Sequence, residues 1–193
     1  TPTLIWWFSP SRVMNVWVLD KTVPDKTYRE HKGLFWVLNH FKIRQPQIGS
    51  YQYRLDYYGF FPQTKDHYET REFRQAGPAN PDLIYIADTY GVYENDYLAV
   101  KPTGDKSPML YGGLTHEDVF SLKMNLKNKT TLIAEYNTFN TPTSEENRAQ
   151  MEEILGIRWQ EWMGRYFVDL KRDQEVSNWM IEQYETKTNQ SWE

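Results

Sequence analysis

Three polar clusters in this chain sit directly behind apolar runs. Asp20-Lys21-Thr22 follows Val16-Trp17-Val18-Leu19, Asp88-Thr89-Tyr90 follows Leu83-Ile84-Tyr85-Ile86-Ala87, and Glu135-Tyr136-Asn137 follows Thr131-Leu132-Ile133-Ala134. Carboxylates beside a lysine can do acid–base work, because close like charges push their pKa values apart. Asp20, Asp88 and Glu135 are therefore the candidate catalytic residues. Their oxygens could also hold a hard cation, but no ligand spacing identifies a metal site, and we assign neither metal nor cofactor. Lys21, Thr22, Thr89, Tyr90, Tyr136 and Asn137 are the candidate ligand-binding residues, supplying donors and acceptors for a polar molecule. The same residue types also end strands and cap helices, which is their commoner duty.

Other chemistries lack their groups. The chain has no cysteine, which excludes a thiol nucleophile, zinc thiolates, iron–sulfur clusters and disulfides. His31, His40, His67 and His116 show no zinc-type spacing, so all four are expected on the surface or at helix ends. Gly112-Gly113 lacks the Gly-Lys-Ser/Thr ending of a phosphate loop and reads as a turn. No serine stands in a Gly-x-Ser-x-Gly elbow. Apolar residues make up only 39%, so the 8 Trp, 14 Tyr and 9 Phe must supply much of the core. Tyr90 and Tyr93, at loop tips, are placed to face a ligand.

The elements that must carry these clusters alternate. Residues 13–23 read as a buried strand closed by Pro24, and Leu4-Ile5-Trp6-Trp7-Phe8 as an edge strand or a lead-in from an upstream anchor. Residues 27–41 read as a helix with Leu34, Val37, Leu38 and Phe41 inward and a capping box from Thr27 to Glu30. Residues 51–61 form a second strand candidate closing at Pro62, and 63–81 a loop or short helix. The run 83–87 is the cleanest buried strand, followed by an irregular segment long enough for a lid. Residues 115–126 read as a helix capped by Thr115 and Asp118, with Val119, Leu122, Leu126 and Met124 inward. A buried strand at 131–134 and a helix from Pro142 to Leu155 stopped by Gly156 come next, then a strand-like piece at 166–170 and a short helix at 176–184. Such alternation suits right-handed crossovers, and thus an α/β, flavodoxin-like or Rossmann-like three-layer sandwich around a mostly parallel sheet. In that architecture ligands bind beyond the carboxyl ends of the strands, where the three polar clusters should meet.

The 193 residues fit a single domain. Net charge is -4 and no Lys/Arg run exceeds two residues, which argues against nucleic acid as a partner. No apolar stretch is long enough to span a membrane, and no signal peptide is visible. The start at Thr1-Pro2-Thr3 suggests a piece excised from a longer protein. The expectation is an extracytoplasmic domain attached to a membrane through removed segments.

The order of parts resembles the class I glutamine amidotransferase-like superfamily, including its trehalose-utilisation branch and an uncharacterised bacterial group. The likeness rests on Val16-Trp17-Val18-Leu19-Asp20-Lys21-Thr22-Val23, on Asp82 through Asp88, and on Gly112-Gly113-Leu114-Thr115 leading into 131–137. It implies a tight turn at Glu135-Tyr136-Asn137, where the family carries its nucleophile. The family's glutaminase needs a cysteine there and a later histidine, and this chain has neither. The resemblance therefore implies a non-catalytic domain that binds a small polar or carbohydrate-like ligand, or a protein partner, at the carboxyl edge of the sheet. Two alternatives stand beside it: a carboxylate-dependent glycoside or ester hydrolase, and a scaffold domain of a membrane-anchored protein.

Overall fold

A computed structural model of the chain describes residues 2–46, 49–65, 67–73, 80–100, 107–126, 129–160, 166, 168, 176 and 178–192. In chain order the elements are α1 (Pro2–Phe8), β1 (Arg12–Val13), β2 (Val16–Asp20), α2 (Arg29–His40), β3 (Ile43–Gln45) and β4 (Gly49–Ser50). There follow β5 (Tyr58–Thr64), β6 (His67–Arg71), β7 (Leu83–Asp88), β8 (Val92–Tyr93), α3 (Glu94–Tyr97), β9 (Met109–Tyr111) and α4 (His116–Asn125). The last are β10 (Thr131–Ala134), a 3-10 turn (Tyr136–Phe139), α5 (Glu145–Leu155) and α6 (Asn178–Thr188). The chain divides into two units, Thr1–Trp159 and Gln160–Glu193.

The first unit is built on a five-stranded sheet in the order β10-β7-β2-β5-β6. The four strands from β10 to β5 run parallel and β6 closes one edge antiparallel to β5. The central strand β2 is buried at every residue, as a parallel strand covered on both faces must be. Its side chains alternate. Val16 and Val18 join Phe35 and Leu38 of α2 in one core, while Trp17 and Leu19 join Ile84, Ile86, Val119, Leu122 and Met151 in another. Helix α2 thus covers one face, and α4 with α5 covers the other. The same alternation sends Asp20 toward α2 and Lys21 toward α4, so adjacent polar residues serve opposite layers. Gly59 opposes Asp20 across the β2–β5 pair. Its φ of +130° is open to glycine, and a Cβ there would stand 1.7 Å from the Asp20 carbonyl oxygen.

Several local expectations are corrected. The run at 4–8 is helical, not an edge strand. The strand at 13–23 is two pieces, with β1 pairing β3 in a separate three-stranded sheet. Helix α2 begins at Arg29 after Tyr28 in the left-handed region, without a side-chain cap. Thr27 turns back to Asp25 instead of forming a box with Glu30. Its buried stripe is His31, Phe35 and Leu38, leaving Val37 and Phe41 exposed. Strand β5 starts only at Tyr58 and continues through Pro62. Proline is tolerated there because β2 pairs only with Tyr58 and Gly59, so no inner neighbour needs the missing N–H, and the β6 register shifts beside it. The polar stretch after it supplies β6, whose exposed pattern hid it from an apolar scan. Part of the irregular segment after β7 is ordered as the β8–β9 pair and α3. Met124 is exposed, and β10 is half-exposed rather than buried. The Thr115–Asp118 capping box is present as expected, and Ser144 and Gly156 bound α5. In the second unit α6 stands where a short helix was expected, with the Tyr184 ring edge-on to Trp192 at 5.2 Å. The strand-like piece at 166–170 includes 167, 169 and 170, which lie outside the described residues.

Candidate functional site

The loops after β2, β7 and β10 are tied together at the carboxyl edge, and Asp88 is the knot. One of its oxygens accepts from the Thr22 hydroxyl at 2.7 Å and the Tyr90 N–H at 2.6 Å, and the other from the Asn137 amide at 2.7 Å. The Thr22 hydroxyl in turn accepts from the Gly91 N–H at 2.8 Å. Lys21 N–H donates to the Asp88 carbonyl at 2.8 Å, Gly113 N–H to the Thr89 carbonyl at 2.8 Å, and the Thr89 hydroxyl to the Asn137 carbonyl at 3.0 Å. Six of the nine residues singled out from the sequence therefore join one network: Lys21, Thr22, Asp88, Thr89, Tyr90 and Asn137. Buried carboxylates satisfied in this way are strong structural acceptors with little capacity left for a substrate.

Asp20 and Lys21 are also committed, each to its own side. Asp20 accepts from Thr22 N–H at 2.9 Å and lies 2.6 Å from Nδ1 of His31. Both side chains are wholly buried. Nε2 of His31 lies 2.8 Å from the Tyr53 carbonyl, which can only accept, so Nε2 carries a proton. The contact between Nδ1 and Asp20 needs a second proton, shared by the pair. Burial pushes the Asp20 carboxyl up, against the lowering effect of His31. The His31 ring packs at 4.4 Å on Tyr57, whose hydroxyl burial also holds well above its usual range. On the opposite face the Lys21 ammonium donates to Asp118 at 2.5 Å and to the Gly113 carbonyl at 2.9 Å, with the Tyr111 ring 4.9 Å away. Asp118 is the residue that caps α4 through Thr115. The ion pair thus fastens the end of β2 to the start of α4.

Asn137 apart, the third cluster lies outside that network. Glu135 is exposed on ordinary extended backbone before the 3-10 turn, and its carboxylate accepts from the Tyr85 hydroxyl. Burial, then that bond, raises the Tyr85 hydroxyl. Tyr136 is exposed and makes no part of the Asp88 network. Tyr90 packs on Tyr93 at 5.2 Å, both half-buried. Thr138 is wholly buried, and its hydroxyl finds no partner among the described residues. Among the described residues no group of three His, Asp or Glu could hold a metal.

Open space at this edge lies beside the knot. A hollow of about 320 Å³ is lined by Lys26 and Tyr28 of the β2–α2 loop, Arg54 before β5, and Phe61, Pro62 and Gln63 of β5. A smaller one of about 100 Å³ lies in the β2–α2 loop against Asp25, Tyr28 and Glu30. Neither Lys26 nor Arg54 makes an ion pair among the described residues. Sequence reasoning missed these lining residues, as it missed His31 and the pairing role of Asp118. The carboxyl-end rule could have reached Lys26, which lies a few residues past the end of β2. Nothing local marked Arg54 or Phe61.

The chain matches no family model, no curated protein and no solved structure. Its fold and edge define it as a mixed α/β protein with a central, mostly parallel five-stranded sheet flanked by helices. Among the described residues no helix is long and apolar enough to cross a membrane.

Proposed function

We propose that this chain is a non-catalytic, amidotransferase-like domain of flavodoxin-like topology that binds a small polar, carbohydrate-like ligand at the carboxyl edge of its sheet. The observation that carries the reading is the hollow of about 320 Å³, which sets the rings of Tyr28 and Phe61 beside the donors Lys26, Arg54 and Gln63. Both rings belong to the core, with Phe61 packed on Tyr57 and Arg71, so they give the hollow an apolar floor, and the three donors at its rim are what a ligand's hydroxyls need. The topology supports it. Numbered by appearance, the four parallel strands stand in the order 2-1-3-4, as in a flavodoxin-like sheet, and the first and third meet at Asp20 and Asp88. The absence of cysteine leaves no glutaminase nucleophile.

The commitments of Asp88 and Asp20 weigh against the carboxylate-hydrolase alternative, since neither has an oxygen free for a substrate proton. A thermal-shift screen over mono- and disaccharides tests the binding reading. The expected result is a rise in Tm with at least one sugar, lost in Arg54→Ala and Lys26→Ala, both exposed and dispensable to the unliganded fold. A screen without any shift, or a shift that both variants retain, would remove the hollow as the site.

A further inference from the structure

The opposite end of the same sheet carries an exposed aromatic surface that the core does not use. Helix α2 returns antiparallel to β2, so its last turn, the β1 segment and α1 all lie at the amino edge. There Trp6, His40 and Trp36 form a continuous row, with ring centroids 6.4 Å apart in the first pair and 4.9 Å in the second. Phe41 stands edge-on to His40 at 5.2 Å. Trp7 is 69%, Phe8 81%, Trp36 65% and Phe41 64% exposed, and Leu4 and Val13 stand open beside them. Contiguous apolar patches of this kind mark interaction surfaces. The patch is held in shape: Trp6 Nε1 donates to the His40 carbonyl at 2.5 Å, and the Lys42 ammonium donates to the Trp7 and Ser9 carbonyls at 2.7 and 2.9 Å. That ammonium also lies 4.7 Å from the Trp6 ring.

Charge says what covers it. Segments 2–13 and 36–46 contain Arg12, Lys42 and Arg44 and no carboxylate, in a chain whose acids outnumber its bases 26 to 22. At this end of the sheet Asp82 accepts from the Asn15 N–H, and Asp56 from the Gln45 amide and the Gln52 N–H. Both are thus drawn into local bonds. A tryptophan-rich apolar surface whose own segments carry three cations and no carboxylate matches the headgroup region of an anionic bilayer, where indole rings lodge at the interface and Lys/Arg meet lipid phosphates.

We propose that the amino edge, through Trp7, Phe8, Trp36 and Phe41 with Arg12 and Lys42, docks on a membrane surface bearing anionic phospholipid. The described elements of this edge lie on that surface, and the hollow at the carboxyl edge faces the other way. This rests on different residues from the ligand reading and stands or falls separately.

Co-sedimentation of the full chain with vesicles tests it. Vesicles of phosphatidylcholine containing one third phosphatidylserine should carry the protein down at low salt. Vesicles of phosphatidylcholine alone should bind about twenty-fivefold more weakly, from about fivefold for each of Arg12 and Lys42. Trp7→Ala/Phe8→Ala should cut partition at least tenfold, and Trp36→Ala, on a separate helix, should cut it severalfold while the far-ultraviolet dichroism is unchanged. Arg12→Glu should weaken binding to the anionic vesicles only. Protein left in the supernatant with the anionic vesicles overturns the proposal, as does equal partition onto the neutral ones. So does a dimer in sedimentation velocity that Trp7→Ala/Phe8→Ala dissociates, which would give the patch to a second copy of the chain.

Discussion

The two ends of the central sheet are opposites in how they treat their chemistry. At the carboxyl end, charged and hydroxyl side chains are buried, and nearly every one has its partners: Asp88 with three donors, Lys21 with Asp118 and a carbonyl, Asp20 with His31. At the amino end, large aromatic side chains lie open to solvent with cations around them. A residue's chemical capacity is therefore a poor guide to its use. Here the groups that could react hold the fold together, and the groups that usually hold a fold together face outward. Stability should be concentrated at the polar end, and truncation of rings at the aromatic end should leave it nearly untouched.

The largest test of that contrast is Lys21→Met. It leaves Asp118 as a buried carboxylate without its counter-ion, which costs about 3–5 kcal/mol. Urea denaturation should show that loss, and Lys21→Met/Asp118→Leu should recover part of it. A loss below about 1 kcal/mol would mean that Asp118 reaches water and that the rim is not the sealed network described.

A smaller effect should appear in the pH dependence. Burial raises the Asp20 carboxyl in the fold, against the lowering effect of His31. The folded chain therefore holds that proton more tightly than the unfolded chain does. The stability this contributes is fully present below the ordinary carboxyl range and is lost as pH rises through the raised folded value. Denaturation curves from about pH 3 upward should show the slope in the native chain and lose it in Asp20→Asn. An unchanged slope in the variant would assign the effect elsewhere.

The smallest effect belongs to the other end. Trp36→Ser should change stability by less than about 0.5 kcal/mol, since the ring is largely in solvent. A loss of several times that, measured in urea, would make the aromatic row part of the folding core and erase the contrast.

What the sequence made legible follows from what was local. The run at β7, the capping box of α4 and the ends of α5 each declare themselves within a few residues, and the structure has them where the pattern put them. The meeting of Asp20 and Asp88 was legible one step further, from the rule that parallel strands share a carboxyl edge. Three things were not. The inner stripe of α2 begins with a histidine, so an apolar count shifted it toward Val37 and Phe41. The justification for burying His31 is a carboxylate on a different element, eleven residues away, which no periodicity contains. Strand β6 pairs at an edge with its side chains mostly in solvent, so it carries no apolar alternation to read. Glu135 had the right position along the chain, but its partner Tyr85 drew it out of the knot.

Gly59 has a consequence for how this chain can change over time. The space where its side chain would begin is filled by main chain from the strand that carries Asp20. Descendants can trade residues around the hollow or the aromatic edge one at a time and keep the architecture. At position 59 even a methyl group would prise two parallel strands apart where the buried charges leave the sheet, so variation there has no gradual route.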